Sequence, residues 1–161
     1  MLSISTEVQV FKSGAVARVE DLEPGDTVYN PVTGQHTTLV NLMKRQILPA
    51  FLRPPDSKSF MPVRVPAHAL GARLPSKDLF VSPAQVLLVR QVSAGHAGAE
   101  EMSALSLCEM GIANRDSVRS SLPFTYFALL FENPTVFIAN GVFLLGCQAS
   151  GPGNRNLQCD D

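Results

Sequence analysis

The sequence predicts a mostly β fold with at most one short helix, and three observations carry that reading. Short apolar runs rich in Val, Phe, Leu and Thr recur along the chain, several of them alternating with polar residues as a half-buried strand does. Turn residues, chiefly Gly, Pro, Asn, Asp and Ser, interrupt these runs at short intervals. Only around Met102 to Met110 does the apolar spacing, with Leu105, Cys108 and onward to Ile112, suit a helical face.

The elements follow in chain order. STEVQVF (Ser5 to Phe11) alternates, Ser13-Gly14 punctuates it, and AVARV resumes the pattern, which predicts a hairpin. Glu20 to Asp26 holds acidic residues and a Pro24-Gly25 turn ahead of a TVYN strand. A second turn at Pro31 to Gly34 leads into a long strand, HTTLVNLMKRQI. Residues 48 to 62 are too Pro-dense for a helix interior or a central strand and predict a surface loop. VRV (Val63 to Val65) reads as a short strand, HALGARL as a turn, and DLFVSPAQVLLVRQV as two strands around Ser82-Pro83. Small residues from Ser93 to Glu101 predict a loop, and FTYFALLF and TVFIANGVFLL supply the last strands, the latter folded at Asn140-Gly141. Beyond Cys147 the composition changes to QASGPGNRNLQCDD, which has little to bury. The expected organisation is therefore one domain over 1–147 and a flexible tail over 148–161.

Composition narrows the function classes. A chain of 161 residues with 45% hydrophobic content can bury a core as one domain. Its 13 basic and 14 acidic residues are scattered, so neither nucleic acid nor an anionic membrane is an expected partner. No apolar run is long enough to span a bilayer and MLSISTEVQV lacks the layout of a signal peptide, so a cytoplasmic protein is expected. The three cysteines, Cys108, Cys147 and Cys159, have neither disulfide-framework nor metal-knuckle spacing and are read as reduced thiols. His36, His68 and His96 lack neighbouring ligands, so no metal and no cofactor are expected.

Three segments, in this order, resemble the Hedgehog/intein (Hint) autoprocessing family, in particular its bacterial Hint-like branch. VEDLEPGDTVYN (Val19 to Asn30) is similar to the family's V-x-D-L-x-x-G-D-x-V hairpin. DLFVSPAQVLLV (Asp78 to Val89) is similar to its T/S-x-x-H block, and FENPTVFIANGVFLLGC (Phe131 to Cys147) to its F-x-A-N-G-x-x-x-H-N-C end. The resemblance implies a pseudo-twofold β horseshoe whose two ends meet at one cleft.

The chemistry that the resemblance implies does not carry over. Family members begin with a Cys or Ser that attacks the preceding carbonyl. That place falls at Met1, which has no nucleophile and, as the first residue, no preceding peptide bond. The block histidine, which would protonate the scissile amide, falls on Gln85, a side chain that hydrogen-bonds but does not titrate. Acidic or histidine positions of relatives fall at Ala128 and at Pro134 or Thr135, and the final His-Asn pair falls on Leu145-Gly146. Cys147 matches the downstream nucleophile but lacks a neighbour that would hold it as thiolate.

Other residues offer less. Ser3, Ser5 and Thr6 are hydroxyls near the missing nucleophile, without a histidine to activate them. Ser82 reads mainly as a turn hydroxyl, Glu20, Asp21 and Glu23 as solvated turn charges, and Asp26 as a residue that bonds its own turn. Replacing polar groups by Ala128, Leu145 and Gly146 predicts a filled, drier cleft. The expected function is a catalytically inactive Hint-fold module with a structural or protein-interaction role. A residual self-cleaving domain and an unrelated ligand-binding β-barrel are the alternatives.

Overall fold

The computed structural model describes residues 1–48, 60–93, 96–115 and 123–149. The chain forms β1 (Leu2–Ser3), β2 (Glu7–Gln9), β3 (Val16–Arg18), β4 (Thr27–Asn30), β5 (Gln35–Ile47), β6 (Val63–Val65) and β7 (Leu79–Val81). It continues with β8 (Val86–Ser93), β9 (His96–Ser103), α1 (Ala104–Glu109), β10 (Asn114–Arg115), β11 (Phe124–Phe131), β12 (Val136–Ala139), β13 (Val142–Leu145) and β14 (Cys147–Gln148). The mostly β fold with one short helix is thus the observed one. The Pro-rich loop lies largely, and the tail almost wholly, outside the described residues.

Two sheets share the core. One runs β10-β6-β7-β1-β11-β5-β4, with β14 paired in parallel to β11; the other runs β3-β2-β12-β13-β8-β9. The strand β11 is buried on both faces from Tyr126 to Phe131, which is why it reads as a continuous apolar run rather than an alternating one. It pairs with β5 from Phe124↔Ile47 to Phe131↔Leu39, with a register shift between Leu130 and Phe131. The Phe131 ring lies against Gly146. Leu2, Val8, Val28, Leu39, Leu79, Leu87, Phe131, Phe137 and Leu144 belong to one cluster, and each fully buried side chain of this size contributes about 1.5–3 kcal/mol.

Two local readings change. Residues from His96 are strand, not loop: β9 pairs with β8 from Val86↔Ser103 to Ser93↔His96. Small residues do not favour a strand by themselves; pairing along the whole of β8 supplies the stabilisation that propensity lacks. The helix is shorter than its apolar spacing, because Ser103 ends β9 and caps α1, its Oγ accepting from Ser106 N at 3.0 Å.

The turn at Asn140-Gly141 joins β12 to β13 with both residues at positive φ, 47° and 84°, the backbone of a two-residue hairpin. Asn140, only 4% exposed, does more than turn the chain. Its Oδ1 accepts from Glu7 N at 2.9 Å, its Nδ2 donates to Asp78 O at 3.1 Å, and its carbonyl accepts from Ser76 N at 2.9 Å. One side chain therefore ties the hairpin to both the β2 segment and the approach to β7. Asp26 acts as expected, its Oδ2 accepting from Glu23 N at 2.8 Å. Glu20 is not merely solvated: it accepts from Ser5 N at 2.8 Å.

Candidate functional site

The two ends of the described chain meet. β1 lies between β7 and β11, so Met1 sits beside the β7–β8 loop, while β14 runs along β11 on the same side. The loop is held from both directions: Gln85 N donates to Ser82 O (3.0 Å), while Ala104 N and Leu105 N donate to Gln85 O and Pro83 O (2.8 and 3.0 Å). The start of α1 thus fixes where Ser82 and Gln85 point.

Those two side chains clasp the first residue. The Met1 amine donates to Ser82 Oγ at 3.1 Å and to Gln85 Oε1 at 2.5 Å, while Ser82 N donates to Met1 O at 2.9 Å. The other end of the Gln85 amide donates through Nε2 to Leu145 O at 2.8 Å and Val86 O at 3.0 Å. Gln85 therefore bridges the start of the domain to its last hairpin. Burial in this floor lowers the Met1 amine from a pKa of 8.0 to about 5, because the charged form loses its water. Among the described residues no buried side-chain nitrogen or oxygen lacks a hydrogen-bond partner.

Most of the positions singled out from the sequence converge here. Met1, Gln85, Ala128, Leu145, Gly146 and Cys147 surround an inner space of only about 10 Å³, at the lower limit of what a single water needs. Thr135 is buried just outside it, its Oγ1 donating to Asn133 O (2.9 Å) and its carbonyl accepting from Gly146 N (2.8 Å). Gly146 has no room for a side chain: a Cβ there would lie 2.6 Å from Phe131 Cδ2, closer still to Cε2, and 3.3 Å from Thr135 O. Phe131 is fully buried and packs on Phe137 at 6.1 Å between ring centroids. The aromatic ring occupies the space that a residue larger than glycine would take.

Three expectations are corrected. The cleft is not filled throughout: outside the inner space an open cleft of about 690 Å³ remains, lined among others by Ser82, Leu105, Arg115, Pro134 and Gln148. Filling the centre with apolar atoms closed only the space that those atoms face. Ser82 is part of the site, its hydroxyl turned to Met1. Cys147 is disulfide-bonded, whereas Cys108 is a free thiol whose pKa burial raises. Spacing in sequence says little about approach in the fold, so the reduced reading fails for Cys147.

The hydroxyls near the first residue stay out of the cleft lining. Ser3 is buried in β1 opposite Tyr126, Ser5 is exposed, and Thr6 Oγ1 donates to Ser3 O at 2.7 Å. Sequence reasoning missed Phe131 and Arg115 altogether. The apolar context of Phe131 carried no sign that its ring would face a glycine.

Among the described residues, Ser82 and Gln85 hold a nitrogen and Gln85 also holds a carbonyl. Among the described residues no helix is long and apolar enough to cross a membrane. The fold is similar to that of the MchDnaB-1 intein, at 15% identity and a TM-score of 0.50, covering 89% of this chain and 98% of that one. A bacterial intein-like domain from Clostridium thermocellum is similar at 10% identity and a TM-score of 0.46, covering 91% and 99%. No curated protein sequence matches the chain. The Hint domain family matches residues 5–144, nearly the whole of the described structure. The chain belongs to the Hint domain family.

Proposed function

We propose that this Hint domain is catalytically silent and serves as a structural or protein-interaction module. The observation that carries the reading is the Phe131 ring packed over Gly146, which leaves no space for an asparagine at the place where the resemblance puts the cyclising residue. Three further features support it. Gln85 hydrogen-bonds where a titrating histidine would act, Ala128 and Leu145 bring no polar side chain to the centre, and the Cys147 sulfur is engaged in a disulfide rather than held as a thiolate.

The test uses the chain fused at both ends to passenger domains, so that a scissile bond exists at each junction. Prolonged incubation with thiol, and separately with hydroxylamine, is expected to leave the intact mass unchanged by mass spectrometry. A cleaved or spliced product at either junction would sink the reading in favour of residual autoprocessing. The interaction role is tested by cross-linking in cells: a reproducible protein partner lost on deleting residues 49–59 supports it, and no partner at all counts against it.

A further inference from the structure

Asn140-Gly141 is the one Asn-Gly pair in the sequence. Such a pair carries its own chemistry: with no side chain on the glycine to obstruct it, the glycine nitrogen reaches the side-chain carbonyl carbon of the asparagine before it. In the folded chain every polar group of Asn140 is engaged elsewhere. Its N donates to Glu7 O and its Oδ1 accepts from Glu7 N, both at 2.9 Å. Its Nδ2 donates to Asp78 O at 3.1 Å, while its carbonyl accepts from Ser76 N at 2.9 Å and from Ser76 Oγ at 3.2 Å.

These partners come from two segments outside the hairpin. Glu7 opens β2, whereas Ser76 and Asp78 lead into β7, and Lys77 Nζ pairs with Glu7 Oε1 at 2.6 Å, so the two segments are also tied to each other. Leu74 covers the turn itself, its Cδ2 lying 3.0 Å from where a Cβ on Gly141 would stand. The Asn140 amide is buried, and turning it toward the Gly141 nitrogen breaks both of its side-chain bonds.

We propose that Asn140 is a latent self-modification site, blocked by these bonds and released when β2 or the 76–78 segment opens locally. Gly141 N then gives its proton to water and attacks Asn140 Cγ. The new N–Cγ bond closes a succinimide ring, the Cγ–Nδ2 bond breaks, and the amide nitrogen leaves as ammonia. Water next opens the ring at either carbonyl, leaving aspartate or isoaspartate at position 140. Water is the one co-reactant, and the chain stays uncut. Neither product restores the clasp, because a carboxylate has no hydrogen for Asp78 O and isoaspartate lengthens the backbone inside a two-residue turn. The modification therefore makes a transient opening permanent. It is independent of the silence of the inner centre, which is read by cleavage at the chain ends.

The full chain is incubated at mildly alkaline pH, folded in buffer and unfolded in concentrated urea, and peptide mapping by mass spectrometry follows aspartate and isoaspartate at position 140. Conversion in the folded chain is expected to be at least roughly a hundredfold slower, the factor that two buried hydrogen bonds supply. Lys77→Ala, which loosens an exposed tie between the two segments, should raise the folded-state rate by about two- to fivefold. Asn140→Asp should lose hydrogen-exchange protection in both β2 and β7; where that variant does not fold, the rate comparison in the unsubstituted chain decides. Equal rates in the folded and unfolded chain, an unchanged rate in Lys77→Ala, or full protection of β2 in Asn140→Asp would each overturn the proposal.

Discussion

Adding one methyl group at Gly146 should destabilise the domain measurably. A Cβ there falls 2.6 Å from Phe131 Cδ2, well inside van der Waals contact, and the obstructing atom belongs to the ring of a fully buried residue rather than to the end of a flexible chain. Relief requires Phe131 to move against Phe137, whose ring centroid lies 6.1 Å away, or the β13–β14 backbone to retreat from the Thr135 carbonyl that accepts from Gly146 N. Overpacking of this kind costs roughly 1–3 kcal/mol, and the rigid partner places Gly146→Ala at about 2–3 kcal/mol. For a chain of this size that lowers Tm by about 4–10 °C. Gly146→Asn adds an amide with no evident partner and should cost about 3–5 kcal/mol. Urea unfolding at constant m measures both. Phe131→Leu makes room, so combined with Gly146→Ala it should cost at least about 1 kcal/mol less than the sum of the single changes. If Gly146→Ala unfolds within about 0.5 kcal/mol of the unsubstituted chain, or the double variant is simply additive, the steric account is wrong.

Three further predictions concern the same region. Gln85→Ala removes the acceptor of the Met1 amine and the donor to Leu145 O, and should cost about 2–4 kcal/mol by chemical denaturation, since buried partners are left unpaired. Asn140→Ala, which loses the bonds to Glu7 N and Asp78 O and a residue tolerant of positive φ, should cost about 2–4 kcal/mol and reduce hydrogen-exchange protection in both β2 and β7. The Met1 amine gives a pH dependence of definite sign. With a pKa near 5 when folded against 8.0 when exposed, the unfolded chain binds the extra proton between those values, so stability rises from pH 5 to pH 8 and levels off beyond. A chain with its α-amine blocked should lack that component, and identical pH profiles for the two would refute it.

The sequence made most of the fold legible because its strands carry their own signals: alternation in β2 and β3, Pro-Gly and Asn-Gly turns, and the unbroken apolar run of β11. β9 was hidden because Ala97, Gly98 and Ala99 have little strand propensity and depend on β8 for pairing. β1, β10 and β14 are two residues each, too short for any periodicity, and exist only because neighbours offer an edge. The site was legible where a motif fixes position, as at Gln85 and Gly146. It was not legible where tertiary approach decides: the Phe131 ring over Gly146, Ser82 turned to Met1, Arg115 beside the cleft, and the Cys147 disulfide.

What the centre keeps and what it lacks follow one physical rule. A nitrogen at residue 1 is buried whether or not a reaction takes place there, so something must accept its hydrogens, and leaving it unpaired would cost about 1–3 kcal/mol. Ser82 and Gln85 meet that requirement. Glutamine meets it better than a histidine would in a silent domain, because its amide offers an acceptor to Met1 and a donor to Leu145 O at every pH, with no charged form to desolvate. No comparable structural demand applies at Ala128, Leu145 or Gly146. A polar side chain there would need partners that the inner space of about 10 Å³ cannot supply, so apolar contact is the more stable arrangement. On the proposed reading hydrogen bonding and proton transfer are separable at this site, Ser82 and Gln85 supplying the first. Gln85→His tests that separation directly. It should preserve part of the clasp and add a titration near pH 6 to 7 to the stability profile, yet leave a chain fused at both ends uncleaved, because Gly146 and Leu145 still bring no reacting group. Cleavage in that single variant would mean that one side chain, not the filled centre, had been holding the reaction off.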